Sequence, residues 1–129
     1  MLSRDIKRKK NRNLMRKLII LLFIILYFTG CKTDVIPADT PECIHEMIDE
    51  IAEGDVWNPP AKIYRYEYKG QKVFYFPSKC CDIPSFLYDE ECNFLCSPDG
   101  GISDEGDGQC SDFFNLRTDE ILIWEDIRE

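Results

Sequence analysis

The stretch Ile63-Tyr64-Arg65-Tyr66-Glu67-Tyr68-Lys69-Gly70-Gln71-Lys72-Val73-Phe74-Tyr75-Phe76 decides the fold. Two runs rich in aromatic and β-branched residues flank Lys69-Gly70, the pattern of a β-hairpin closed by a two-residue turn. A turn there pairs Glu67 with Lys72, Tyr66 with Val73 and Tyr64 with Tyr75. Opposite charges then face each other, and ring and branched side chains stack on one face. Moving the turn to Gly70-Gln71 would set Lys69 against Lys72, which repel. Tyr64, Tyr66 and Tyr68 are expected in or beside the core; an exposed strip for sugars or peptides is the alternative.

Upstream, Thr40-Pro41-Glu42 reads as a helix start: a hydroxyl cap, proline at the first helical position and an acid at the positive end of the dipole. Cys43, Ile44, Met47, Ile48 and Ile51 recur at helical spacing and form one apolar stripe. Gly54 suits a left-handed stop. His45, the only histidine, falls off the stripe and reads as a surface residue. Downstream, residues 79–111 are loop-like and dense in cysteine, with Phe86, Leu87, Phe94 and Leu95 as local apolar anchors. Glu120-Ile121-Leu122-Ile123-Trp124 suits a strand beside the hairpin, with Phe113 and Phe114 packed under it. The expected architecture is α+β: one N-terminal helix on a short antiparallel sheet, with a long Cys-rich loop region held by disulfides.

The N-terminus is of a different kind. Residues 4–17 carry eight Lys or Arg against one acid, Asp5, and residues 18–28 are an apolar run of eleven ending in Thr29-Gly30-Cys31. This is the order of a secretory signal with a small-residue cleavage site. Cysteine directly after the small residues points to a bacterial lipoprotein, cleaved before Cys31 and acylated on its thiol. A bilayer span takes roughly 20 apolar residues, which this run does not reach. The expected organisation is a signal peptide over 1–30, a lipidated tether over 31–39 and a disulfide-stapled domain over 40–129. Location follows: an exported, membrane-anchored protein, expected at the outer membrane.

From Cys31 onward, 8 basic residues stand against 23 acidic ones. So acidic a chain repels phosphate backbones, which argues against nucleic acid as a partner. It suits a solvated exported domain, cations or a basic partner. With Cys31 assigned to lipid, Cys43, Cys80, Cys81, Cys92, Cys96 and Cys110 remain, an even number that reads as three disulfides. Neighbouring cysteines bridge each other only through a strained ring, so Cys80 and Cys81 are expected to bond two different partners, one of them Cys43.

Residues 99–108, Asp-Gly-Gly-Ile-Ser-Asp-Glu-Gly-Asp-Gly, set Asp99, Asp104 and Asp107 among four glycines and invite a calcium reading, because calcium takes six to eight oxygens. The EF-hand spacing is absent, and a solvated turn closed by Cys96 and Cys110 is the simpler expectation. Cys92 and Cys96 with Cys80-Cys81 lack the paired spacing of a zinc site. No Cys-x-x-Cys marks a thiol catalyst. The carboxylate pairs Glu90-Glu91, Asp104-Glu105 and Glu125-Asp126 do not by adjacency make a glycosidase groove. No catalytic residues are assigned, and no cofactor is expected unless calcium.

Trp57-Asn58-Pro59-Pro60-Ala61, Tyr66-Glu67-Tyr68, Cys80-Cys81-Asp82, Tyr88-Asp89-Glu90-Glu91-Cys92 and Cys96-Ser97-Pro98-Asp99-Gly100-Gly101 resemble a family of small Cys-rich exported lipoproteins from Bacteroidota. Gly106-Asp107-Gly108-Gln109-Cys110 and Trp124-Glu125-Asp126-Ile127-Arg128 extend the likeness. The family is a domain of unknown function, so the resemblance implies location and no activity. Cys96-Ser97-Pro98-Asp99-Gly100 also faintly resembles Kazal-type inhibitors, but the next cysteine is misplaced. The expected role is a non-enzymatic envelope binding module, anchored by lipid on Cys31 and engaging a protein or glycan through the loop 97–108. A calcium-stabilised structural domain and, further off, a hydrolase or thiol-redox enzyme are the alternatives.

Overall fold

A computed structural model describes residues 36–128, together with Lys17. The leader, Cys31 and the start of the tether lie outside the described residues. Within them the chain forms α1 (Glu42–Glu53), β1 (Lys62–Tyr68), β2 (Gln71–Phe76), β3 (Phe86–Tyr88), β4 (Phe94–Cys96), α2 (Phe113–Leu116) and β5 (Thr118–Glu125). The five strands make one antiparallel sheet in the order β4-β3-β2-β1-β5.

The hairpin has the register its residues dictate: Tyr64 opposes Tyr75, Tyr66 opposes Val73 and Glu67 opposes Lys72. Lys69 and Gly70 both take positive φ, 50° and 78°, the geometry that matches the twist of the flanking strands. β5 pairs with β1 as expected, with Ile63 opposite Trp124 and Tyr64 opposite Leu122.

Strand alternation divides the core between the two faces of the sheet. On one face Ile63, Phe74, Phe76 and Ile123 meet Ile44 and Ile48 of α1, with Met47, Ile51 and Trp124 at the margin. On the other, Tyr66, Tyr68, Val73, Tyr75 and Leu87 close over Phe113, Cys96 and Cys110. Phe113 is fully buried and meets the rings of Tyr66, Tyr68 and Tyr75 at 5.3–5.5 Å, whereas Phe114 stays partly exposed. Tyr66 and Tyr68 are therefore core residues, and Tyr64 is half-buried.

Both ends of α1 depart from expectation. Pro41, at φ −57° and ψ 145°, takes the cap position, and its carbonyl accepts from the Ile44 and His45 amides. The Thr40 hydroxyl is buried without a partner among the described residues. Gly54 is extended (φ −81°, ψ −171°), not left-handed. Arg128 explains this: its guanidinium donates to the carbonyls of Gly54 (3.0 Å) and Ile51 (3.2 Å), satisfying groups that a left-handed cap would otherwise serve. The buried Asp126 carboxylate holds that guanidinium at 2.8 and 2.9 Å.

The segment read as loop supplies two short strands, β3 and β4. Asp89 builds their connection: its carboxylate accepts from the Glu91 amide (3.0 Å) and from the amide (2.8 Å) and side chain (3.0 Å) of Asn93. Cys92 then turns through φ 60°.

The disulfide expectation is corrected. Cys43 bonds Cys92, tying α1 to the β3–β4 connection, and Cys96 bonds Cys110. Cys80 and Cys81 are exposed and bonded to neither. The four other thiols are consumed within the fold, so no partner in the described chain remains for the adjacent pair except each other. Among the described residues no helix is long and apolar enough to cross a membrane.

Candidate functional site

The loop 97–108 is a folded object. Cys96–Cys110 closes its neck. Inside, the Gly106 amide donates to the Gly100 carbonyl (3.1 Å), the Asp107 amide to the Ser97 carbonyl (3.0 Å) and the Asp104 amide to the Gly101 carbonyl (3.2 Å). The Ser85 amide donates to the Asp99 carbonyl at 3.0 Å, fixing the loop to the body. Gly106, at φ 66°, packs so closely that a Cβ there would lie 1.9 Å from the Ser97 carbonyl oxygen. Only glycine fits such a crossing.

The acids proposed as calcium ligands serve this architecture. Asp99 accepts from the Tyr75 hydroxyl (2.8 Å) and from the Ser85 hydroxyl. Burial and that bond to a carboxylate push the Tyr75 phenol well above its ordinary range, so it remains a neutral donor. Asp107 accepts from the Ser97 amide (3.0 Å) and the Gln109 amide (2.9 Å). Asp104 sits exposed in a turn at φ 60°. Among the described residues no three His, Cys, Asp or Glu side chains group as metal ligands. The carboxylate pairs are likewise split: Glu90 meets Lys72 (3.1 Å), Glu125 meets Lys62 (2.9 Å) and Asp126 meets Arg128. Cys92 and Cys96 belong to separate bridges, which removes them as zinc ligands.

What the loop presents is Ile102. It is 94% exposed, at the apex, flanked by exposed Ser103, Asp104 and Glu105. An apolar residue this exposed on a braced loop is a feature the sequence reading did not single out. The signal available was one isoleucine among glycines and acids.

A second surface feature lies at the open end of the hairpin, where β1 begins and β2 ends. Trp57, Pro59, Pro60, Ala61, Lys62, Tyr64, Pro77 and Ser78 line an open cleft of about 230 Å³. The Lys79 ammonium stands 5.8 Å from the centre of the Trp57 ring. The described cations are mostly spoken for. Lys62, Arg65, Lys69, Lys72 and Arg128 pair with acids, and Arg117 stacks on Tyr66, Phe113 and Phe114 at 4.6–5.6 Å. The excess acid of the surface is left uncompensated.

These features define a small disulfide-stapled α+β domain with a braced surface loop. The chain belongs to a family described as a domain of unknown function, DUF6970, whose profile matches residues 49–126. No curated protein matches the chain, and no solved structure does.

Proposed function

We propose that this protein is a lipid-anchored binding module of the bacterial cell envelope, of Bacteroidota type, that engages a protein partner through the loop 97–108. The observation that carries the reading is the apex: Ile102 exposed at 94% on a loop held from within by hydrogen bonds and at its neck by Cys96–Cys110. A pre-ordered loop loses little freedom on binding, so its contacts go further toward affinity. The chemistry of the apex names the partner: an apolar pocket for Ile102, rimmed by basic groups that meet Asp104 and Glu105. The arrangement of residues 4–31 supports export and acylation on Cys31, each buried methylene adding ~0.8 kcal/mol of membrane affinity.

Cross-linking in intact envelopes tests the contact. A protein captured by the wild type is expected to be lost from Ile102→Asp, which leaves every internal bond of the loop in place. Undiminished capture by that variant would remove the loop from the proposal. Labelled palmitate is expected to enter the wild type and to be absent from Cys31→Ala.

A second reading is favoured by the cleft. Trp57 and Tyr64 offer ring faces beside prolines, a surface on which a sugar ring stacks. Glycan binding there predicts loss on Trp57→Ala with Ile102→Asp unaffected.

A further inference from the structure

Residues 77–83 carry a feature that neither bridge nor loop absorbs. Pro77 and Ser78 form part of the cleft wall, Lys79 reaches over Trp57, and the chain then turns through Cys80 and Cys81. The Ile83 amide donates to the Cys80 carbonyl at 3.2 Å, so Cys81 and Asp82 are the central residues of a tight turn. Cys81 takes φ 54° there, a left-handed conformation that non-glycine residues adopt only under strain. Both thiols are exposed, and every other described cysteine is already bonded within the fold.

We propose that Cys80 and Cys81 are a vicinal dithiol–disulfide couple, a redox site that closes into a ring by exchange with an incoming disulfide. Three observations meet in it: adjacency, exposure to an attacking disulfide, and the absence of any competing partner among the described residues. The neighbouring Cys80 thiol, more than the charge of Asp82, holds the Cys81 thiol above its ordinary range.

The step balances as follows. One thiolate of the pair attacks one sulfur of the incoming disulfide, forms a mixed disulfide and expels the other sulfur as a thiolate. The neighbouring thiolate then attacks the Sγ of that mixed disulfide, closes the Cys80–Cys81 bond and releases the second thiolate. The incoming disulfide gains two electrons and two protons, which the pair gives up. Opening is the reverse, driven by a dithiol. Because the exchange is with a disulfide and not with oxygen, the couple follows the thiol poise around the domain. The oxidant's availability rests on the exported location proposed above; the exchange itself does not.

The test uses the purified full chain carrying Cys31→Ser, which removes the one further thiol, after mild reduction, with thiols trapped by N-ethylmaleimide and counted by intact mass. One sample is treated with oxidised glutathione and another with a dithiol oxidoreductase in its disulfide form. The expected result is that mild reduction exposes two thiols while Cys43–Cys92 and Cys96–Cys110 stay closed, and that treatment hides both without adding mass. The Cys80→Ser/Cys81→Ser double variant, with its two bridges intact, shows none at any stage. Closure by glutathione assigns small disulfides as the reactant, and closure by the oxidoreductase alone assigns a protein disulfide. Two thiols that persist in both samples, or a stable glutathione adduct in place of the ring, would overturn the proposal. Thiol state of the two bridges in cells reports compartment separately: if they too are open, export fails and the exchange chemistry stands on the purified protein.

Discussion

Replacing Gly106 and Gly101 separately by alanine isolates what the close crossing inside the loop 97–108 is worth. Both glycines have positive φ, 66° and 76°, so each alanine incurs left-handed strain of roughly 1–2 kcal/mol. At Gly101 nothing lies within 4 Å of the new Cβ, and the cost ends there. At Gly106 the Cβ falls 1.9 Å from the Ser97 carbonyl oxygen and 2.9 Å from the Asp99 amide nitrogen, both backbone atoms that have no rotamer to yield. The loop has to open. Opening parts three bonds: Gly106 to Gly100, Asp107 to Ser97, and the Ser97 amide to the Asp107 carboxylate. At about 1 kcal/mol each, these bring the loss at Gly106 to about 4–5 kcal/mol. For a domain of this size every kcal/mol moves the melting temperature by about 4–8 °C, so Gly106→Ala falls by roughly 20 °C or more and Gly101→Ala by about 10 °C. Urea unfolding followed by the fluorescence of Trp57 and Trp124 measures both. Equal losses, or a smaller one at Gly106, would refute the argument that the loop is braced from within.

Two further outcomes are expected. Cys43–Cys92 spans 49 residues, so removing it as a Cys43→Ser/Cys92→Ser pair costs about 4 kcal/mol by chain entropy, read as a lower urea midpoint; an unchanged midpoint would mean that α1 docks without the bridge. Stability also depends on acid. Hydrogen bonds from Arg128 hold Asp126 below the usual carboxylate range, and a bond from Lys69 does the same to Asp112. A depressed folded pKa stabilises above the unfolded value of about 4, and that contribution is lost as pH falls through the folded pKa. The urea midpoint is therefore flat from neutral pH down to about pH 4 and drops below it, and Asp126→Asn flattens the drop. A midpoint insensitive to acid would exclude these pairs as contributors.

How far the sequence carried depends on whether the governing contact was local. The hairpin register was legible because Glu67, Lys72, Tyr66 and Val73 constrain it over a few residues. The stripe of α1 was legible for the same reason. Gly54 was misread because the group that satisfies the last carbonyls, Arg128, comes 74 residues later. β3 and β4 were missed because three residues are too few to show an alternation. The signal was Asp89, which bonds the amides of Glu91 and Asn93 and makes the connection a turn. The cysteine map failed for a topological reason. Sequence spacing favoured nothing, and only the docking of α1 beside β3 and β4 brings Cys43 to Cys92. At the loop, the acids were visible but their role was not, since Asp99 spends its carboxylate on Tyr75 and Ser85, which lie on other parts of the fold.

The Cys43–Cys92 bridge has one more consequence. A ribosome releases the chain N-terminus first, and between Cys43 and its mate stand two decoys, Cys80 and Cys81. A chain that oxidised in order of appearance would trap Cys43 on a decoy before β4 existed. Native pairing therefore follows shape and not order along the chain, since Cys43 passes over both decoys to reach Cys92.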